Sequence, residues 1–97
     1  MRVSKITRVL ISKFAEKQVK KLPKPISEAL FIWVESVELT GIADIRKLKG
    51  YHDEPLRGDR KGQRSVRLNR SYRVIYTENE NKELVLITVI EVNKHEY

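Results

Sequence analysis

The sequence predicts an α+β fold, in which an N-terminal strand and two helices pack on one face of a small, mainly antiparallel sheet in the order β-α-α-β-β-β. Two observations predict this arrangement. Apolar residues recur with helical spacing between residues 12 and 39, and three aliphatic segments separated by short polar loops follow residue 63. With 97 residues, the chain is expected to form one small domain over residues 1–97.

The first strand and the first helix are predicted from residues 7 to 22. Thr7–Ile11 is a run of β-branched and aliphatic residues, which is typical of a strand. Ser12 then offers an N-cap for a helix that continues to about Leu22. Pro23 and Pro25 end this helix, because proline and the residue before it both disfavour helical continuation.

The second helix has the strongest periodicity in the sequence. It is predicted to begin near Pro25, which suits a first helical turn, and to end at residue 38 or 39, before Gly41. Its apolar positions follow the i, i+3, i+4, i+7 spacing: Ile26, Ala29, Leu30, Trp33, Val34 and Val37. Because Trp33 belongs to this stripe, we expect it in the core and not stacked on a nucleotide base.

The remaining chain predicts a loop-rich segment followed by a three-strand meander. Residues 41–63 have weak periodicity, with one helical turn predicted at Ala43–Leu48, followed by a loop marked by Gly50, Pro55, Gly58 and Gly62. The three strands are predicted at Arg64–Leu68, Tyr72–Thr77 and Leu84–Val92. The last strand is apolar on both faces, which indicates a strand that is covered on both sides or centrally placed in the sheet.

The composition excludes several kinds of site. The chain has no cysteine, so it has neither disulfides nor thiolate metal ligands, and its two histidines are too far apart for a zinc motif. No apolar run approaches the roughly 18 residues that span a membrane. We therefore expect a soluble, cytoplasmic protein without a metal or other cofactor.

The net charge of +7 comes from one segment, residues 46–73, which holds ten basic and three acidic residues. The other 69 residues hold ten of each sign. The basic residues of segment 46–73 are Arg46, Lys47, Lys49, Arg57, Arg60, Lys61, Arg64, Arg67, Arg70 and Arg73. Charge of one sign on one segment attracts polyanions, so this segment predicts a nucleic-acid-binding surface.

Strand alternation brings two of these arginines together. Val66 and Leu68 should face the helices, so Arg67 points to the opposite face, and Arg73 of the next strand can share that face. There the two planar guanidinium groups would reach a single phosphate and stabilise the charge of a phosphorane. From the spacing alone, Arg67 and Arg73 are equally compatible with ordinary solvated strand positions.

His52, His95 and Tyr97 are candidate proton carriers. Imidazole is the side chain that titrates near neutral pH, and "NKHEY" places His95 and Tyr97 directly after the last strand. Metal-free RNA cleavage needs a proton acceptor, charge stabilisation at phosphorus and a proton for the leaving oxygen. This set can supply all three, although either histidine alone is also compatible with a surface position, and the base is either His95 or Tyr97.

The order of elements, with "YRVIY" and the terminal "VIEVNKHEY", resembles the RelE/ParE superfamily of toxins from bacterial type II toxin–antitoxin systems, most closely its HigB and YafQ-like members. In this resemblance "KQVKKLP" corresponds to the family's first helix, "LRG" to its loop before the sheet and "YRVIY" to its third strand. The resemblance implies a ribosome-dependent endoribonuclease that cuts mRNA and is neutralised by a cognate antitoxin in an oligomeric complex.

Carried over residue by residue, the resemblance matches the family's loop histidine to His52, its basic strand positions to Arg64, Arg67 and Arg73, and its C-terminal histidine and aromatic residue to His95 and Tyr97. The spacing around "RLNRSYR" differs by about a residue from some relatives, so Arg64, Arg67 and Arg70 are alternatives for one strand position. The predicted catalytic set is His52, Arg67, Arg73, His95 and Tyr97. The basic segment supplies the predicted RNA-binding set, which is Lys47, Lys49, Arg57, Arg60, Lys61, Arg64 and Arg70. The sequence departs from the family at Arg57, since many relatives carry lysine there and arginine cannot donate a proton in the same way.

Two other functions fit the same fold. A ParE-like inhibitor of DNA gyrase would have no use for paired proton carriers, which the histidines and Tyr97 of this chain supply. A non-catalytic nucleic-acid-binding domain would need only the basic segment, and replacing His95 would leave its activity intact. In each case a basic surface favours an acidic, amphipathic antitoxin segment that folds as it binds.

Overall fold

A computed structural model describes residues 5–94, in which five strands form one sheet with the order β1-β5-β4-β3-β2. The strands are β1 (Ile6–Ile11), β2 (Glu54–Pro55), β3 (Gln63–Arg67), β4 (Tyr72–Glu80) and β5 (Leu84–Lys94). The helices are α1 (Lys13–Val19), α2 (Lys24–Thr40) and α3 (Ile42–Ile45). The predicted α+β fold is confirmed.

The sheet is antiparallel except at β1. This strand runs parallel to β5, from the pair Ile6 and Leu84 to the pair Ile11 and Val89. A parallel pair needs a long crossover, and here α1, α2 and the rest of the sheet lie between the two strands in the chain. β5 lies between β1 and β4, so the central position predicted for this apolar strand is confirmed.

The core lies between α2 and the sheet. Trp33 of α2 is fully buried, and its ring centroid lies 5.4 Å from that of Tyr76 in β4. The same helical stripe buries Leu30 and Val37, while Val66 and Val74 cover the core from β3 and β4. The prediction that Trp33 is a core residue is confirmed.

Within residues 5–94, no helix is both long and apolar enough to cross a membrane.

The boundaries of the helical region differ slightly from the predictions. The Ser12 hydroxyl accepts a hydrogen bond from the N–H of Ala15 at 3.1 Å and caps α1, as predicted. However, α1 ends at Val19, and single-turn hydrogen bonds carry the chain to Leu22. The predicted helical turn near residue 43 is the four-residue α3.

The segment before β3 is more ordered than the sequence indicates. Two 3₁₀ turns, Lys49–Tyr51 and Gly58–Arg60, flank the two-residue strand β2, which pairs with β3. β2 is too short to give an alternating pattern, so the sequence predicts only a loop there. β4 extends past its predicted end to Glu80, because its polar last residues continue to pair with β5.

Candidate active site

Arg67 and Arg73 lie directly opposite each other on β3 and β4. The preceding register pair, Val66 and Val74, is fully buried beneath the helices, so the two arginines point to the other face of the sheet. Arg73 Nε donates to the side-chain oxygen of Asn93 at 3.3 Å, and within residues 5–94 neither arginine forms an ion pair. Two facing cations that form no ion pair within residues 5–94 are suited to bind an anion.

A shallow depression surrounds this pair of arginines. Its lining is His52, Glu54, Ser65, Arg67, Asn69, Arg70, Tyr72 and Arg73. Four residues predicted from the sequence are therefore brought together here, namely His52, Arg67, Arg70 and Arg73. The others come from the strands and the tight β3–β4 connection, where Asn69 Oδ1 accepts from the N–H groups of Ser71 and Tyr72.

Glu54 is the lining residue that sequence reasoning overlooked. It pairs with Ser65 in the β2–β3 register, and Ser65 shares a face of β3 with Arg67 two residues later. Among the lining residues, Glu54 carries the carboxylate. Glu54 follows His52 by two residues, and alternate residues of a strand share a face. This spacing would have predicted Glu54 beside His52 if the sequence had indicated a strand at β2.

His52 reaches the depression through an unusual backbone conformation. It has φ 46° and ψ 46° and is the non-glycine residue with positive φ among residues 5–94. Its N–H closes the first 3₁₀ turn by donating to the carbonyl of Lys49 at 3.1 Å. The left-handed conformation costs a non-glycine residue about 1–2 kcal/mol, so the surrounding contacts must impose it.

Arg64 does not join the depression, because it bonds the buried Asp53 in a partly exposed ion-pair cluster on the helix side of the sheet. The side chain of Asp53 is only 1% exposed and accepts from Arg64 Nε at 2.6 Å. The same carboxylate accepts from the Tyr76 hydroxyl at 2.5 Å and lies 3.8 Å from Arg46 Nε. Burial, together with this bond to Asp53, raises the pKa of Tyr76 above its ordinary value, so the phenol stays protonated and donates.

Arg60 also bonds partners within the chain. From the second 3₁₀ turn, its guanidinium donates hydrogen bonds to the side chains of Gln63 of β3 at 2.8 Å and Glu91 of β5 at 2.7 Å. Because these strands lie on either side of β4, the Arg60 side chain crosses β4 on the face away from the helices, where Ile75 is fully buried. The bond from Arg60 holds the pKa of Glu91 below its usual range.

The remaining predicted RNA-binding residues are exposed. They are Lys47, Lys49, Arg57, Lys61 and Arg70. Lys47 lies 3.9 Å from Asp44 in an exposed pair that leaves its charge accessible. His95 and Tyr97 lie outside the described residues. Among residues 5–94, no three His, Cys, Asp or Glu side chains converge to hold a metal ion.

Solved structures show which class of proteins shares this fold. No protein-family model matches the sequence, and no curated protein matches it. Similarity instead appears in three dimensions, where the chain has the fold of toxins from toxin–antitoxin systems. The resemblance predicted from the sequence is thereby confirmed at the level of the fold.

Three of these structures define the similarity. The YoeB/ParE toxin from Agrobacterium tumefaciens has a TM-score of 0.71 and 16% identity, covering 92% of this chain and 99% of that one. The YoeB–YefM complex from Staphylococcus aureus has a TM-score of 0.69 and 19% identity, covering 96% and 100%. The E. coli DinJ–YafQ toxin–antitoxin complex has a TM-score of 0.65 and 20% identity, covering 92% of each chain.

Proposed function

We propose that this chain is the toxin of a type II toxin–antitoxin system and that it is a metal-independent endoribonuclease, which cleaves mRNA at the ribosome and stops translation. The observation that carries the proposal is the pair Arg67 and Arg73, facing each other without a carboxylate partner among residues 5–94, in a depression that also holds His52 and Glu54. The fold shared with the YoeB and YafQ toxins supports it.

The proposed reaction is an internal transfer at one phosphodiester. The 2′-oxygen loses its proton and attacks the adjacent phosphorus, and the bond from phosphorus to the 5′-oxygen breaks as that oxygen takes up a proton. The products are a 2′,3′-cyclic phosphate and a 5′-hydroxyl. The phosphorane carries more negative charge than the substrate diester, so Arg67 and Arg73 would stabilise it preferentially. This charge stabilisation takes the place of a metal ion.

The side chains of the depression suit the two proton transfers. We assign the role of proton acceptor to Glu54, because it carries the carboxylate among the lining residues. His52 would donate the proton to the 5′-oxygen. The resemblance offers His95 or Tyr97 as an alternative proton acceptor, and substituting Glu54, His95 and Tyr97 one at a time decides which of them takes the proton.

The proposed partners follow from the charge of this face. The exposed cations would bind the phosphates of mRNA and of the ribosome, and the proposed activity is accordingly cytoplasmic. The antitoxin would be an acidic, amphipathic segment that covers the same cations, in an oligomeric complex. Two of the structural neighbours are complexes with antitoxins, YoeB–YefM and DinJ–YafQ.

The test is primer extension on mRNA from cells that express the chain, combined with analysis of the RNA ends. We expect cuts within translated frames that leave 5′-hydroxyl ends, and their loss in Arg73→Ala, Glu54→Gln and His95→Ala. Lys82→Gln, which removes a cation from the β4–β5 turn, is the matched control and should cut normally. Growth arrest without RNA cuts would refute the nuclease, and DNA breaks in the arrested cells would then indicate gyrase inhibition.

A further inference from the structure

We infer that Asp53 is a positioning residue that keeps His52 and Glu54 in the depression beside Arg67 and Arg73. This inference rests on the proposed function, because it concerns how the proton carriers of that site are placed. Asp53 lies between the two carriers in the chain, but its own side chain points to the opposite side of the segment and is 1% exposed. It can therefore act on the site only through its two neighbours.

The partners of Asp53 belong to the two strands that carry the arginines. Arg64, which bonds the carboxylate at 2.6 Å, lies three residues before Arg67 on β3. Tyr76, which donates at 2.5 Å, lies three residues after Arg73 on β4. Arg64 and Tyr76 are also register partners of each other. One carboxylate thus fixes the loop to the same rigid pair of strands that presents the phosphate-binding arginines.

The backbone on both sides of Asp53 depends on this anchor. His52 has the left-handed conformation, which persists only where neighbouring contacts impose it. On the other side, Glu54 begins a strand of two residues, too short to hold its register by backbone pairing alone. Without the bonds of Asp53, the segment 52–54 would sample other conformations, and His52 and Glu54 would no longer lie close to the arginine pair.

The variant Asp53→Asn tests this role, because it keeps the shape and removes the charge that Arg64 and Tyr76 recognise. On ribosomes carrying mRNA, kcat should fall about 10- to 100-fold, the range that a displacement of about 1 Å can cause. KM should stay within about threefold, because the arginines still bind the phosphates. Tyr76→Phe, which removes one of the two bonds and keeps the ring packed on Trp33, should give a smaller loss of the same kind.

A second measurement does not depend on activity. In the ¹H–¹⁵N NMR spectrum of Asp53→Asn, the amides of residues 52–54 should shift and exchange faster with solvent, while those of Arg67 and Arg73 stay in place. Val37→Ala is the control, since it destabilises the buried side of α2 without touching this segment. It should leave both kcat and these amides unchanged at a temperature where it is folded.

The outcomes separate the two proposals. If the wild type cuts no RNA, the proposed function fails, and the NMR comparison alone decides whether Asp53 holds the loop. If the wild type cuts RNA and Asp53→Asn keeps its kcat or its amide positions at residues 52–54, the positioning role is refuted. If Asp53→Asn does not fold, Tyr76→Phe takes its place, and an unchanged kcat in that variant refutes the role.

Discussion

Replacing Arg67 with glutamine should make the protein more stable and impair its binding of phosphate. Arg67 and Arg73 are direct cross-strand partners, and two like charges in this position repel each other. Within residues 5–94 neither arginine forms an ion pair, so the carboxylates of Glu54 and Glu91 offset only part of the repulsion. The folded protein therefore retains an unfavourable contact that an anion would turn into a favourable one.

The size of the effect follows from the exposure of the pair. A cross-strand like-charge pair on a solvated face costs about 0.2–1 kcal/mol, so Arg67→Gln should raise the free energy of unfolding by that amount. For a chain of this size, about 1 kcal/mol corresponds to a Tm increase of about 4–8 °C. Phosphate should stabilise the wild type more than the variant, because the variant has lost one of the two facing cations. At about ten times its Kd it should stabilise the wild type by about 1.4 kcal/mol, and the variant by much less.

Urea unfolding followed by Trp33 fluorescence measures both quantities. The titration is run in phosphate and in chloride of equal ionic strength, because salt alone screens the repulsion. Lys82→Gln removes the same charge far from the pair and should change neither stability nor the phosphate effect. The reasoning is refuted if Arg67→Gln destabilises the protein, or if phosphate stabilises the wild type no more than chloride does.

Three further substitutions test other parts of the structure. His52→Gly should raise the free energy of unfolding by about 0.5 kcal/mol, because glycine relieves the left-handed conformation but loses more backbone entropy; a loss of stability in thermal unfolding would contradict this. Glu91→Gln should cost at most about 0.5 kcal/mol at pH 7. Arg60 lowers the pKa of Glu91, so the stabilisation by this ion pair is complete above the ordinary glutamate pKa of about 4.3 and is lost as the pH falls through the lowered pKa. The free energies of unfolding of the wild type and Glu91→Gln should therefore converge at acid pH. Leu30→Ala should cost about 2–5 kcal/mol in urea unfolding, and a smaller loss would show that the site collapses around the missing side chain.

The sequence predicted the parts of the fold that depend on periodicity. The apolar stripe of α2 placed Trp33 in the core, and alternation along β3 and β4 placed Arg67 and Arg73 on one face. Those signals are local and repeat over several residues, so one sequence suffices to read them. The parallel pairing of β1 with β5 joins segments more than 70 residues apart, and the sequence alone does not specify such a partner.

The roles of the candidate site residues stay predictions. The segment of concentrated charge, residues 46–73, includes the residues that line the depression. Charge alone could not separate Arg64 and Arg60, which bond Asp53 and Glu91, from the arginines that face solvent. That distinction depends on which side chains meet across strands. Glu54 was overlooked because its strand has only two residues, and a pattern of two residues carries no period.

The edge of the sheet at β1 has a consequence for the behaviour of the protein in concentrated solution. Among residues 5–94 no strand pairs with the outer side of β1, where Ile6 and Leu10 are exposed, and such an edge strand can pair with the same strand of another molecule. Glu38 of α2 occupies part of that side by accepting a hydrogen bond from the N–H of Val9 at 3.0 Å. Any strand that pairs with this edge must first displace the Glu38 carboxylate from the Val9 N–H, and the displaced charge would then lie beside the added strand. One glutamate on a helix therefore protects the folded chain against edge-to-edge aggregation.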